Sequence, residues 1–162
     1  MKQTVKWLAA ALIALGLNQA VWADDVSDFR ENLQAAAQGN AAAQHNLGVM
    51  YENGEGVRQD DAEAVRWYRQ AAAQGLVQAQ YNLGVMYVNG RGVRQDDAEA
   101  VRWFRKAAAQ GLAQAQYNLG VMYYKGHGVR QDLALAQEWL GKACQNGDQD
   151  GCDNYQRLKT GY

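Results

Sequence analysis

The sequence predicts an all-α fold, a solenoid of about three helix pairs that repeat every 36 residues between capping end helices. Three observations carry this. The stretch YNLGVMY occurs at residues 81–87 and 117–123, with HNLGVMY at 45–51, each copy 36 residues after the last; a fixed period of this length marks stacked repeat units. Apolar residues in each copy recur at i, i+3 and i+4, and paired glycines follow. Proline is absent, and the mix of Ala, Gln, Leu and Arg favours helix.

Residues 1–23 read as a secretory signal. Lys2 and Lys6 form a positive n-region, residues 7–17 an apolar run, and Val21-Trp22-Ala23 the end that a signal peptidase reads, with cleavage expected after Ala23. The run is too short to anchor in a bilayer, and no Cys follows the cut, so no membrane anchor is expected. Without Lys2 and Lys6 the chain carries 14 basic against 17 acidic residues. That balance excludes the dense basic face nucleic acid requires.

Residues 24–40 are expected to form an N-terminal capping helix, because AAAQG at 35–39 matches AAAQG at 71–75. Glu31 stands where the full units have Trp67 and Trp103, which suits a helix with one wet side. The units then run 41–76, 77–112 and 113–147, and 148–162 is a C-terminal capping helix and tail. Residues 44–75 and 80–111 align without a gap and differ at five of 32 positions: His45/Tyr81, Glu52/Val88, Glu55/Arg91, Tyr68/Phe104 and Gln70/Lys106.

One unit reads as two helices and a turn. Ala79, Gln80, Leu83, Gly84 and Tyr87 share the core side of the first helix, over about residues 77–88. Asn89-Gly90-Arg91-Gly92 breaks it. Asp96 with Glu99, and Asp60 with Glu63, make D-x-x-E capping boxes. Ala100, Trp103, Ala107 and Ala108 face inward on the second helix, and Gly111 ends it. Gly84 costs about 1 kcal/mol against Ala within a helix; its recurrence as Gly48 and Gly120 predicts close backbone contact with a neighbouring helix.

Leu83-Gly84, Tyr87, Gly90, Gly92-Val93, Asp96, Ala100, Trp103, Ala107-Ala108 and Gly111 together resemble the Sel-one-like repeat, a member of the tetratricopeptide-repeat superfamily. The resemblance implies a right-handed α/α superhelix whose first helices line the concave side. The spacing of Cys144 and Cys152 resembles that of the cysteine-rich bacterial branch, where such pairs are disulfides joining one unit to the next. Free thiols and a metal site are the alternatives, although two cysteines without nearby histidines make a poor zinc site.

Some cysteine-rich relatives are described as binding or slowly hydrolysing β-lactams, so the resemblance raises that activity, or binding of peptidoglycan fragments, as an alternative function. The residues resist it. After the signal, Ser27 is the only serine, and Ser27-Asp28-Phe29-Arg30 lacks the Lys of S-x-x-K. Thr160 sits in the tail. His45 replaces a repeat tyrosine and reads as a helix-surface substitution. His127 lies between two loop glycines, at a variable loop tip. Asp60-Asp61 and Asp96-Asp97 read as helix caps. No catalytic residue, cofactor or metal is expected.

Opposite the expected core side, helical spacing places Asn46 and Val49, then Asn82, Val85 and Asn89, then Asn118 and Val121, in one stripe. Asn carries both a donor and an acceptor and can hold a peptide group bidentately. Met50, Met86 and Met122 are expected at the stripe's edge. The reading is an exported, monomeric, non-catalytic scaffold that binds a protein or peptide in the periplasm or outside the cell. A secreted factor engaging host proteins is the other alternative.

Overall fold

The computed structural model describes residues 23–161. Nearly all of the expected secretory signal lies outside these residues. Among them are eight helices and no strands: α1 (residues 23–37), then α2 (Ala41–Asn53), α3 (Asp61–Ala73), α4 (Val77–Asn89), α5 (Asp97–Ala109), α6 (Ala113–Lys125), α7 (Leu133–Gln145) and α8 (Gln149–Thr160). From α2 onward, each helix packs on the next in chain order. The result is a solenoid of helix pairs in which α2/α3, α4/α5 and α6/α7 are successive units. No described helix is long and apolar enough to cross a membrane.

Each first helix stops at a glycine in the left-handed region: Gly90, φ 63°, returns its N–H to Met86 O. The second glycine of each turn has a different task. Gly92 also has φ 63°, and any Cβ there would collide with the Asp61 carbonyl group of the preceding unit. The G-x-G turn is therefore a joint between units as well as a break in the chain.

Asp60, Asp96 and Asp132 cap the second helices; Asp96 Oδ1 accepts the Glu99 N–H at 3.0 Å. The expected reciprocal half of the capping box is absent. Glu63 and Glu99 pair instead with Arg66 and Arg102, one turn on, at 3.2 and 3.1 Å. The N–H groups of Asp60 and Asp96 donate to Tyr51 O and Tyr87 O of the preceding helix. An incoming carbonyl thus replaces the glutamate side chain.

The core of each unit centres on one large side chain of its second helix: Tyr68, Phe104 and Leu140, at 0, 1 and 2% exposure. The recurring helical glycines make room for these side chains. A Cβ on Gly84 would meet the Phe104 ring at 2.7 Å, and one on Gly120 would meet Leu140 Cγ at 2.8 Å. The close neighbour is therefore a partner side chain rather than the expected backbone. Met50, Met86 and Met122 are buried in the core, not at the stripe's edge. Met86 lies three residues beyond Leu83, so the helical period carries it to the same buried side.

Gln44, Gln80 and Gln116 are each only 4% exposed. Gln80 donates to Ala72 O of the preceding unit at 3.3 Å and accepts from Gln110, past the end of its own second helix, at 2.9 Å. Gln44 and Gln116 repeat this with Ala36 O and Gln74, and with Ala108 O and Asn146. One buried amide thus ties three helices and has its own groups satisfied.

The same register continues into α8 with different chemistry. Cys152 lies 36 residues after Gln116, and Cys144 lies 36 after Ala108. These two form a disulfide between α7 and α8, with Cα atoms 4.4 Å apart. A covalent bond stands where the earlier units place a hydrogen bond.

Candidate functional site

The stripe residues lie on the first helices, but the units do not present them alike. Asn46 is exposed and donates to Asn32 of α1 at 3.1 Å. Asn82 is half-buried, 3.2 Å from His45 Nε2 of the preceding unit. Asn118 carries no side-chain hydrogen bond among the described residues. It lines an open cavity of about 350 Å³ between the second and third units, with Val85, Asn89 and Val121. Val49 is half-buried against the apolar cluster that the first and second units share. A further cavity of about 310 Å³ follows between the third unit and α8, lined by Val121, Leu140 and Asn154 among others. Asn154 continues the asparagine register and donates to Tyr117 Oη at 3.4 Å.

The junction between the first and second units is filled instead. Arg91 gives Nε and Nη2 to the two oxygens of Asp61, at 3.1 and 2.8 Å. Its Nη1 donates to Glu52 Oε1 at 2.7 Å, and the Tyr68 hydroxyl donates to Glu52 Oε2 at 2.7 Å. Burial, and then the adjoining Glu52 carboxylate, push the Tyr68 phenol far above its ordinary range, so it remains a donor. Asp61 raises the Arg91 guanidinium further. His45 packs against Tyr68, with ring centroids 5.7 Å apart. Burial lowers its imidazole, against smaller opposing effects of Asn46 and Glu52.

His45 is thus a half-buried joint residue, not a surface substitution. Asp61 is an arginine ligand rather than a cap, and Asp97, its counterpart, lines the 350 Å³ cavity. His127 is exposed at its loop tip, as expected, and also lines that cavity. The stripe leaves out Glu52, Tyr68, Val88, Arg91 and Phe104, which decide how the two junctions differ. The signal was present in the sequence: four of the five positions that differ between the aligned units lie at these junctions.

The hydroxyl candidates do not converge on a base. Ser27 is exposed on α1, and Thr160 donates to Gln156 O at 2.9 Å. Among the described residues, no group of three or more His, Cys, Asp or Glu could hold a metal ion.

The Sel1 repeat family matches residues 41–76, 77–112 and 113–148. Solved structures that share the fold include three from different bacteria. A protective antigen of uropathogenic Escherichia coli with an SLR fold is 50% identical, with TM-score 0.74, over 78% of this chain and 26% of its own. A Sel1 repeat protein of Oxalobacter formigenes is 34% identical, with TM-score 0.79, over 90% of this chain and 59% of its own. The chain thus spans about a quarter of the length of the first and under two thirds of the second. Cysteine-rich protein B of Helicobacter pylori shares the fold at 20% identity and TM-score 0.64, over 79% of this chain and 95% of its own. No curated protein matches the chain. Three consecutive family repeats, the helix pairs that embody them and the shared fold make this chain a member of the Sel1 repeat family.

Proposed function

We propose that the chain is an exported, monomeric, non-catalytic scaffold that holds a protein or peptide partner along the concave, stripe-bearing side of its first helices. The observation that carries this is the open cavity between the second and third units, where Val85, Asn89, Asn118 and Val121 meet. Apolar walls with a few polar groups are the usual make-up of a binding site. Asn118 keeps both its donor and its acceptor for a ligand, whereas Asn46 and Asn82 already spend amide groups on the chain itself. The ladder is therefore weighted toward the later units. The repeat scaffold itself supports the reading, since stacked helix pairs offer extended binding surfaces.

Export rests on the signal-like residues 1–23 and on a disulfide, which persists in oxidising compartments. A specific observation favours secretion or surface display as a second reading: half of the aligned residues are shared with a protein described as a protective antigen. Fractionating cells and culture medium separates the two destinations.

The test is affinity capture with residues 24–162 as bait, beside the Asn46→Ala, Asn82→Ala, Asn118→Ala variant checked for native helicity and melting. Loss of a partner by the folded variant is expected. If the variant retains it, binding lies on another face.

A further inference from the structure

The first junction is a template for what the second one lacks. In the first, Asp61 takes two nitrogens of Arg91, and Glu52 links that guanidinium to Tyr68. One period later these positions are Asp97, His127, Val88 and Phe104, and they line the open cavity of about 350 Å³. The carboxylate is kept. The guanidinium that met it is gone, and Val88 and Phe104 have made two walls apolar. Asp97 is half-buried and has no ion pair or side-chain hydrogen bond among the described residues. A carboxylate held beside apolar walls favours a hydrogen-bonded counter-ion.

Size and shape narrow the occupant. The volume is at the low end of the ~300–1,000 Å³ span of ligand pockets, which suits one side chain. A guanidinium matches both carboxylate oxygens and can lie flat on a ring, while its methylene stem covers apolar surface. Lys125 and His127 also line the cavity but are exposed to water. The cavity before α8 is different: Leu133 replaces the aspartate in register, and Lys125 and Arg157 line it.

We propose that the cavity between the second and third units receives an arginine side chain of the bound peptide, with its guanidinium on Asp97 as Arg91 sits on Asp61. This rests on the scaffold reading above and names the residue that the scaffold selects. The first junction is closed by its own arginine, so the selective position is the second.

The experiment uses isotope-labelled protein and capped pentapeptides, acetyl-Ala-Ala-Xaa-Ala-Ala-amide, with Arg, Lys, Leu or Glu at the centre. The Arg peptide is expected to shift the methyl signals of Val85, Val88 and Val121, and to bind about tenfold more tightly than the Leu or Glu peptide. Asp97→Asn, which retains the side chain's size, is expected to remove that preference while the protein keeps its native helicity. Val88→Glu, Phe104→Tyr and His127→Arg together rebuild the first junction's network and are expected to abolish binding by filling the cavity. No binding of the Arg peptide, equal binding of the Leu or Glu peptide, or an unaltered preference in Asp97→Asn overturns the proposal.

The two readings fail separately. If a captured partner depends on the asparagines but the Arg peptide does not bind, only the arginine assignment falls. If the Arg peptide binds at Val88 but the triple asparagine variant keeps its partner, the ladder falls and the pocket stands.

Discussion

The junctions on either side of the second unit are built from almost the same sequence and do opposite things. Between the first and second units, Glu52, Tyr68 and Arg91 close the space with a charged network. Between the second and third, Val88, Phe104 and His127 leave it open. The helices, turns, buried glutamines and core glycines are common to both. A repeat scaffold can therefore close or open a pocket by changing a few side chains in the seam while the stack stays intact. Because each unit touches only its neighbours, such changes remain local.

The largest expected effect breaks the first junction. Glu52→Val copies the second junction at one position and strands the fully buried Tyr68 hydroxyl without its acceptor. The expected loss is about 1–3 kcal/mol, measured by denaturant unfolding. Adding Tyr68→Phe should restore most of it, because the orphaned hydroxyl goes with the acceptor's partner. If the double variant is as unstable as the single one, the cost lies elsewhere in the network, and the two side chains are not one unit.

A smaller effect separates the two glycines under the central rings. Ala at Gly48 presses on Tyr68, whose hydroxyl is pinned to Glu52, while Ala at Gly84 presses on Phe104, whose ring has no hydrogen bond to fix it. Overpacking costs about 1–3 kcal/mol where nothing can yield, and helix propensity returns up to about 1 kcal/mol. Gly48→Ala should therefore lower the melting temperature clearly more than Gly84→Ala. Equal losses would mean that the Phe104 ring is as fixed as that of Tyr68.

The smallest effect concerns acid. His45 has a lowered pKa because burial disfavours its charged form. Its folded state therefore binds a proton less readily than the unfolded chain. The resulting penalty is absent above the ordinary histidine range near 6.5 and grows as pH falls from there through the lower folded value. His45→Tyr, the residue at this register in the next unit, should flatten that part of the stability–pH curve. An unchanged curve would place the acid sensitivity on other groups.

The helices were legible because the 36-residue period repeats the glycine breaks, the aspartate caps of the second helices and most apolar positions, so nearly every element is read three times. The glycine recurrence pointed to a close approach, and the spacing of Ala79, Gln80, Leu83 and Gly84 placed them on the buried side. Met86 is buried rather than at the stripe's edge because its side chain suits either place, and its register, three residues beyond Leu83, decides. The candidate site was less legible. Apart from Asn89, which is Lys125 in the third unit, the stripe rests on positions that are the same in every unit, whereas the contrast between the junctions lies in those that differ. Glu52, Tyr68 and Arg91 lie 16 to 39 residues apart, and only the stack brings them together.

The bond between Cys144 and Cys152 has a consequence for how α8 is held. A buried glutamine in α8 would need a second amide such as Gln110 or Asn146 supply, and no described helix follows α8 to carry one. The disulfide fastens the helix without that partner. With the bond formed, α8 stays tethered to α7 even if its packing loosens; with it reduced, packing and hydrogen bonds alone hold the two together. How firmly α8 is held on the stack thus depends on the redox state of the compartment that holds the chain.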